Sequence, residues 1–504
     1  MKIKNFMICL GAAALTLTSC SRNEDTTPTP NPTPVADEIN DFVWKAMNSW
    51  YYWQPNVPNL ADSFKNSSGY VSFINGKTPD KLFYSLLYNY GTTDRFSWIE
   101  NDNVIVDAGK SAEVEPTSGL HYALYPKDNS ATAYVALINY VSPGSPAEAA
   151  GIKRGDVITK VNGSVLTASN YDQLETSQFT ITRAATTTLT SSALVTTDKI
   201  ENISLTRVEK DENPVAFYKN YVYGTKNIGY LVFNAFKADY NDELNAAFAK
   251  MKADGVNELI LDLRYNGGGS LETAVALGQM INGSFTGQPY TYLDFNNKHN
   301  DEDGWDYLKN TVNTYSLVNN HPEVSGQEAV NSLTLPKIYV LVTFQTASAS
   351  ELTVSSLGKY VNITTIGDET VGKYVGSITL YDSPASDYTS YATRSTKHKW
   401  QLQPISFAYY NKDKDPVPTD GSGITPTVKI NPYSFFNNIK EFGDTSDPSL
   451  KKALELITGQ TIGKTAEARF DNDINYRTKA LQVNRTNTAK GLYIQDFSKY
   501  RNQK

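Results

Sequence analysis

Ser348 lies in the run Thr346-Ala347-Ser348-Ala349-Ser350-Glu351, and Lys373 follows 25 residues later in Thr370-Val371-Gly372-Lys373. A serine hydroxyl hardly ionises near neutral pH, so it becomes a nucleophile only with a base beside it. A lysine amine serves as that base once its pKa is lowered from about 10.4 to ~7–8. Burial in an apolar pocket lowers it in this way, and Ser-Lys pairs are a known variant of serine-based acyl transfer. The flanks of Lys373, namely Val371, Gly372, Tyr374, Val375 and Gly376, are all uncharged, which suits a buried amine; Lys359 stands in a more polar setting.

A second run, Asp262-Leu263-Arg264-Tyr265-Asn266-Gly267-Gly268-Gly269, ends in three consecutive glycines. Glycines let the backbone turn sharply with its N–H groups facing one point. Attack on an acyl carbon puts negative charge on the former carbonyl oxygen, and losing one donor to that oxygen slows turnover by ~10²–10³. Glycine-rich turns are common, and this one gains weight from standing 80 residues before Ser348.

Such residues need rigid elements to hold them. Leu259–Leu263 and Ile338–Val342 are short, apolar and rich in β-branched residues, as buried sheet strands are. The glycine run follows the first and Ser348 follows the second. Ser350–Lys359 reads as a helix, which predicts Ser348 at a strand-to-helix turn near the positive end of a helix dipole. Glu351 is read as ordering that helix start and not as a base. Ile228–Phe233 alternates like a strand. Asp239–Asp254 puts Leu244, Ala247, Phe248 and Met251 on one helical face and stops at Gly255. Alternating strands and helices predict an α/β core over residues 214–458. Residues 284–334 read as a polar, Asn- and Tyr-rich insertion, and residues 459–504 as a polar tail with no assigned role.

Upstream, residues 37–103 are helical and aromatic, with Phe42-Val43-Trp44, Trp50-Tyr51-Tyr52-Trp53 and Leu82-Phe83-Tyr84. Residues 104–213 read as a β-rich module. In it, Ser142-Pro143-Gly144-Ser145-Pro146-Ala147-Glu148-Ala149-Ala150-Gly151 carries a capping serine, a proline at the first helical position and a closing glycine. Asn162-Gly163 is a hairpin signal. A second helix is expected at Ser169–Glu175 and a closing strand at Ile203–Arg207.

These features together resemble the tail-specific (C-terminal processing) serine proteases, peptidase family S41. The Ser348 and Lys373 runs match that family's catalytic dyad, and the glycine octapeptide resembles its Asp-Leu-Arg-Asn-Asn-Pro-Gly-Gly element. The resemblance implies Ser348 as nucleophile over the competing Ser350, Ser355 and Ser356, because the family's nucleophile is the first serine of its Ser-Ala-Ser-Glu run. It implies Lys373 as base, with Gly268 and Ala349 N–H groups as the oxyanion hole. It places Ser377 where the family has a glutamine that orients the amine. Asp94-Arg95-Phe96-Ser97 resembles the family's Asp-x-His-Ser/Thr element, with Phe96 replacing the histidine. Residues 104–213 resemble an inserted PDZ domain, a type that takes up peptides as an added strand with a backbone nest around the terminal carboxylate. Its carboxylate loop then falls at Ser118, Gly119, Leu120 and His121. Gly421-Ser422-Gly423-Ile424-Thr425-Pro426 and Asp447-Pro448-Ser449-Leu450 resemble the closing elements of the core. The expected architecture is a multidomain chain: an α/β protease core, a helical N-terminal region and an inserted β-rich PDZ domain. The expected function is cleavage of unstructured protein or peptide substrates. Two alternatives stay open: a catalytically weak or inactive peptide-binding lipoprotein, and a tricorn-type peptidase with His121 or His398 as base.

Composition bounds the remainder. The net charge of −7 over 504 residues gives no basic footprint for nucleic acid. Both cysteines, Cys9 and Cys20, lie in the first twenty residues, and His121, His299, His321 and His398 lack ligand spacing, so no metal and no cofactor is expected. Lys2 and Lys4 precede the apolar stretch Phe6–Leu17, and Leu17-Thr18-Ser19-Cys20 looks like a bacterial lipobox cut before Cys20. Residues 1–19 are then a signal peptide and Cys20 a lipid anchor to the membrane. Residues 20–36, with Pro28, Pro30, Pro32 and Pro34, form an extended tether. The expected location is the cell envelope of a Gram-negative (Bacteroidota-like) bacterium. There the chain is read as an outer-membrane lipoprotein, facing the periplasm or exposed on the surface.

Overall fold

The computed structural model describes residues 36–101, 116–190, 193–318, 321–417, 422–430, 436, 439–462, 492–494 and 497–501. Cys20, the leader, the proline tether and most of residues 459–504 lie outside the described residues, as does the side chain of His321. Among the described residues no helix is long and apolar enough to cross a membrane.

The α/β core is a six-stranded sheet. Its order is Val215–Tyr223, Lys226–Phe233, Glu258–Asp262, Lys337–Val342, Asn362–Gly367 and Val428–Lys429. The first pair is antiparallel and the others are parallel. Side chains alternate across a strand, so both faces of such a sheet need a cover. Leu259, Leu261, Ile338, Val340 and Val342 face the helices Asn241–Ala253, Leu271–Ile281 and Ala349–Leu357. Ile260, Tyr339 and Leu341 pack instead with Leu450, Ala453, Leu454 and Ile457 of the helix Pro448–Thr458. The helix expected at 350–359 runs Ala349–Leu357, and the one expected at 239–254 runs Asn241–Ala253.

A second sheet has the order Gly304–Tyr307, Pro289–Phe295, Ile405–Asn411, Val375–Ile378 and Tyr493–Ile494. Two of its strands come from residues 284–334 and a third from residues 459–504. The stretch read as an insertion is therefore partly structural, because Tyr290, Leu293 and Phe295 are buried in the main core. Thr291 is buried with them while Tyr292 is only partly so, and the strand shows no clean apolar alternation in the sequence.

The N-terminal helix Glu38–Trp50 is capped by Asp37, which accepts the Asn40 N–H at 2.9 Å. It buries Phe42, Val43, Trp44, Met47 and Trp50 in the main core.

The β-rich module has its own core around Leu120, Ile138, Ile158, Phe179 and Leu205. Its helix Pro146–Ala149 is capped by Ser145, and Asn162 and Gly163 turn with positive φ as the hairpin signal requires. The second expected helix is only a 3-10 turn, Tyr171–Glu175, and the closing strand is the end of a longer one, Leu194–Thr206. Arg154 joins the module to the core. Its Nε donates to the Lys440 carbonyl at 2.7 Å, its Nη2 lies 3.6 Å from Asp447, and its guanidinium lies over Phe442. An α/β core, a helical N-terminal region and an inserted β-rich domain are thus all present, as expected.

Candidate active site

Ser348 occupies the position just before the helix Ala349–Leu357, at φ 61°, ψ −112°. A β-carbon disfavours positive φ, and such a conformation costs ~1–3 kcal/mol unless its surroundings impose it. Here they do. The Ser348 N–H donates to Glu351 Oε2 at 2.7 Å, its carbonyl accepts the Leu352 N–H at 2.7 Å, and Ala347 N–H is held by the Asn266 carbonyl at 3.1 Å. The neighbouring Ser350 hydroxyl is engaged with the Asn266 carbonyl at 3.0 Å, a structural bond.

Glu351 is fully buried and ties the serine turn to the lysine loop. Besides Ser348 it accepts the Gly372 N–H at 2.7 Å, the Lys373 N–H at 2.9 Å and the Thr370 hydroxyl. Oε2 serves both Ser348 and Lys373, so the two bond lengths together bound the separation of those amide nitrogens at 5.6 Å. Burial pushes the Glu351 carboxyl above its ordinary pKa, against the four hydrogen bonds that favour its ionised form. From the other side, the buried Tyr409 hydroxyl donates to the Ser348 carbonyl at 3.2 Å and to the Lys373 carbonyl. The backbones of the two candidate catalytic residues are thus clamped together twice.

Lys373 is buried, with Nζ 4.7 Å from the centroid of the Phe96 ring. The element containing Phe96 therefore reaches the lysine loop, and Arg95 also donates to the Gly372 carbonyl at 3.3 Å. Ile424 N–H donates to Thr370 Oγ1 at 2.8 Å, so the Gly423 turn braces the same loop. Among the described residues Ser348 Oγ accepts the N–H of Leu492, and no hydrogen bond joins it to Lys373 Nζ.

Gly268 packs directly on the serine turn. A Cβ there would lie 2.9 Å from both Ala349 N and Ser348 Cβ, and its φ of 107° excludes most other residues. Its N–H, however, donates to Asn266 Oδ1 at 2.9 Å, in an Asx turn. The Gly268 amide, implied as an oxyanion donor, is therefore engaged with Asn266 in this state. Ala349 opens its helix, where no preceding turn accepts its N–H.

Ser377 also departs from expectation. Its hydroxyl accepts from Gln403 Nε2 at 3.0 Å and faces the Leu492 carbonyl at 3.5 Å, not the Lys373 amine. A serine side chain is too short to reach back along its own strand, so it bonds across to the next one. His121 pairs with Glu212 at 2.9 Å and Ser142 at 3.0 Å, while His398 pairs with Asp382 and accepts the Trp400 N–H. Neither imidazole partners Ser348 among the described residues. In the expected carboxylate loop, Ser118 and Leu120 are buried and Gly119 is pressed against the Ser145 side chain.

Behind the site, Arg264 is fully buried between Asp262 at 2.7 Å and Asp447 at 3.0 Å. Burial alone would raise the Asp447 carboxyl, but Arg264 and Arg154 hold it below the usual range. Asp447 also caps the helix Pro448–Thr458. The Asp-Leu-Arg run and the Asp-Pro-Ser-Leu run, 183 residues apart, thus form one buried ion group. Sequence reasoning missed Tyr409, Gln403 and Leu492, none of which lies in a motif.

Comparison with known proteins matches residues 227–430 to peptidase family S41, residues 38–98 to the peptidase S41 N-terminal domain and residues 137–175 to a PDZ domain. The two S41 matches together span more than half of the chain. The chain belongs to peptidase family S41. An S41 protease structure from Bacteroides fragilis NCTC 9343 superposes with a TM-score of 0.60 at 27% identity, covering 83% of this chain and 97% of that one. The carboxyl-terminal-processing protease of Picosynechococcus sp. is 28% identical over 45% of this chain and 48% of its own length. A CtpA-like serine protease of Staphylococcus aureus (strain MSSA476) is 26% identical over 67% of this chain and 60% of its own. The chain thus spans about half to three fifths of the length of these curated relatives.

Proposed function

We propose that this S41 chain is a serine endopeptidase acting on unstructured polypeptides through Ser348 and Lys373. The observation that carries the reading is the strained Ser348 turn, held by the same Glu351 oxygen that holds the Lys373 backbone. Neutral Lys373 takes the Ser348 proton as Oγ bonds to the peptide carbonyl carbon. The resulting oxyanion is stabilised by the Ala349 N–H, and by the Gly268 N–H once it leaves Asn266. The C–N bond then breaks, Lys373 returns the proton to the departing amine, and water hydrolyses the acyl-serine. The PDZ-like module gates or captures substrate carboxyl ends, and Cys20 anchors the enzyme to the envelope membrane by lipid. The test is incubation of the wild type, Ser348→Ala and Lys373→Ala with an unstructured protein, with fragments mapped by mass spectrometry. Fragments from the wild type and from neither variant are expected.

One observation favours a second reading, a peptide-binding protein without catalysis: the Ser348 hydroxyl is bonded to Leu492 and not to Lys373. It is distinguished by whether cleavage is absent even after Leu492 is removed.

A further inference from the structure

Residues 492–494 and 497–501 belong to no motif, yet the first three lie against the Ser348 turn and the strand after Lys373. We propose that they form a tethered occupant of the substrate strand, which keeps the peptidase closed until it is displaced. This inference rests on the reading of Ser348 as nucleophile.

The strand Tyr493–Ile494 runs parallel to Val375–Ile378 and makes a parallel bridge to Ser270. It therefore lies between the glycine turn and the strand that follows Lys373, the two elements that would flank a bound substrate. Its backbone is bonded on both sides. Leu492 N–H donates to Ser348 Oγ, and the Leu492 carbonyl accepts the Ser377 N–H at 3.0 Å. Tyr493 N–H donates to the Gly269 carbonyl at 3.2 Å, and the Ile494 carbonyl accepts the Thr379 N–H at 3.3 Å. Bonding of this kind reads an extended chain whatever its sequence, which is how a peptide is taken up as an added strand.

The side chains anchor it. Leu492 and Ile494 are buried, and Phe497 is fully buried against Trp50 and Phe295, with ring centroids 5.2 and 5.3 Å away. Arg501 pairs with Glu302, and the Tyr500 hydroxyl donates to Asp306. An occupant whose Leu492 and Ile494 fill buried positions points to substrates with apolar residues at alternate positions along an extended chain.

The geometry is that of an inhibitor. An N–H hydrogen bond lies in the peptide plane, whereas a nucleophile must approach the carbonyl carbon from above that plane. A Ser348 Oγ that accepts the Leu492 N–H has a lone pair engaged by the docked strand.

The test compares the full chain with a chain ending at residue 491, each with and without Ser348→Ala, on a quenched fluorescent unstructured polypeptide. Removal is expected to raise kcat/KM at least about tenfold, since apparent affinity scales with the open fraction. A synthetic peptide of residues 492–504 added to the shortened chain should raise KM without lowering kcat, and the same peptide carrying Phe497→Ala should not. Equal Ser348-dependent turnover by both chains overturns the inference and leaves the peptidase reading standing. No turnover by either, with saturable binding of the peptide to the shortened Ser348→Ala chain, sinks the peptidase reading and keeps the docked strand. Release of residues 492–504 by the wild type but not by Ser348→Ala makes the segment a substrate and overturns the proposal. Should the shortened chain fail to fold, Phe497→Ala in the full chain takes its place. Turnover above wild type supports the proposal, and unchanged turnover overturns it.

Discussion

At the candidate active site the strand Val375–Ile378 is paired on both sides, to Ile405–Asn411 and to Tyr493–Ile494, whereas among the described residues the end strand of the PDZ-like module, Leu120–Pro126, pairs along only one side, to Tyr134–Val141. Between that end strand and the turn Tyr171–Glu175, the Tyr122 hydroxyl donates to Glu175 at 3.0 Å. Both edges present backbone groups that any extended chain can satisfy. The difference lies in where the occupant comes from. Residues 492–494 are on the same chain, so their docking is intramolecular and does not depend on the concentration of an outside ligand. A ligand proposed for the PDZ-like edge would come from solution and meet the Tyr122–Glu175 bond beside it. Edge chemistry alone does not decide occupancy; covalent connection does.

The largest effect expected from breaking this contrast is at Ser348, the proposed nucleophile. In the chain ending at residue 491, Ser348→Ala and Lys373→Ala should each reduce turnover by at least ~10³, read by fragment mapping. Gly268→Ala should come next, at ~10²–10³ in kcat, because the added methyl collides with the serine turn. An unchanged kcat there would separate the glycine run from the chemistry.

Arg264→Leu should lower stability by ~3–5 kcal/mol in denaturant unfolding, because it strands two buried carboxylates. Since Asp447 also faces Arg154, the PDZ-like module should loosen with it.

Acid should act on the occupied edge first. His299, stacked on Trp50 and near Arg501, has its pKa lowered from 6.5 to about 4, first by burial and then by Arg501 and Lys298, against Asp301. Asp387 lies 3.5 Å from it. The folded state therefore binds fewer protons than the unfolded one between these values, so this contribution is present above pH 6.5 and is lost as pH falls toward 4. Melting temperature should drop across that window, and less steeply in His299→Gln. The smallest effect belongs to the other edge. Tyr122→Phe should improve binding of a carboxyl-terminal peptide to the PDZ-like module by no more than about fivefold, the worth of one hydrogen bond.

Legibility followed sequence distance. The strands Glu258–Asp262 and Lys337–Val342, with the turns that follow them, are written in contiguous runs whose apolar pattern and glycines act locally. Family resemblance then selected Ser348 and Lys373. Ser377 and Gly268 were read by position, and their actual partners, Gln403 and Asn266, emerged only from three-dimensional contacts. The strand Pro289–Phe295 was obscured because it buries the polar Thr291 and leaves Tyr292 only partly buried, so its apolar and buried positions do not coincide. Tyr493–Ile494 was obscured because a short strand has no period to detect.

The sequence by itself determined an α/β core of buried strands, an inserted β-rich module and the family to which the motifs belong. These follow from residue type and spacing along one chain. The fold alone decided which hydroxyl meets which N–H. Ser348 and Leu492 are 144 residues apart, and Arg264 and Asp447 are 183 apart. Contacts at such separations are set by how sheets and helices stack to bury apolar area, and no local pattern encodes them.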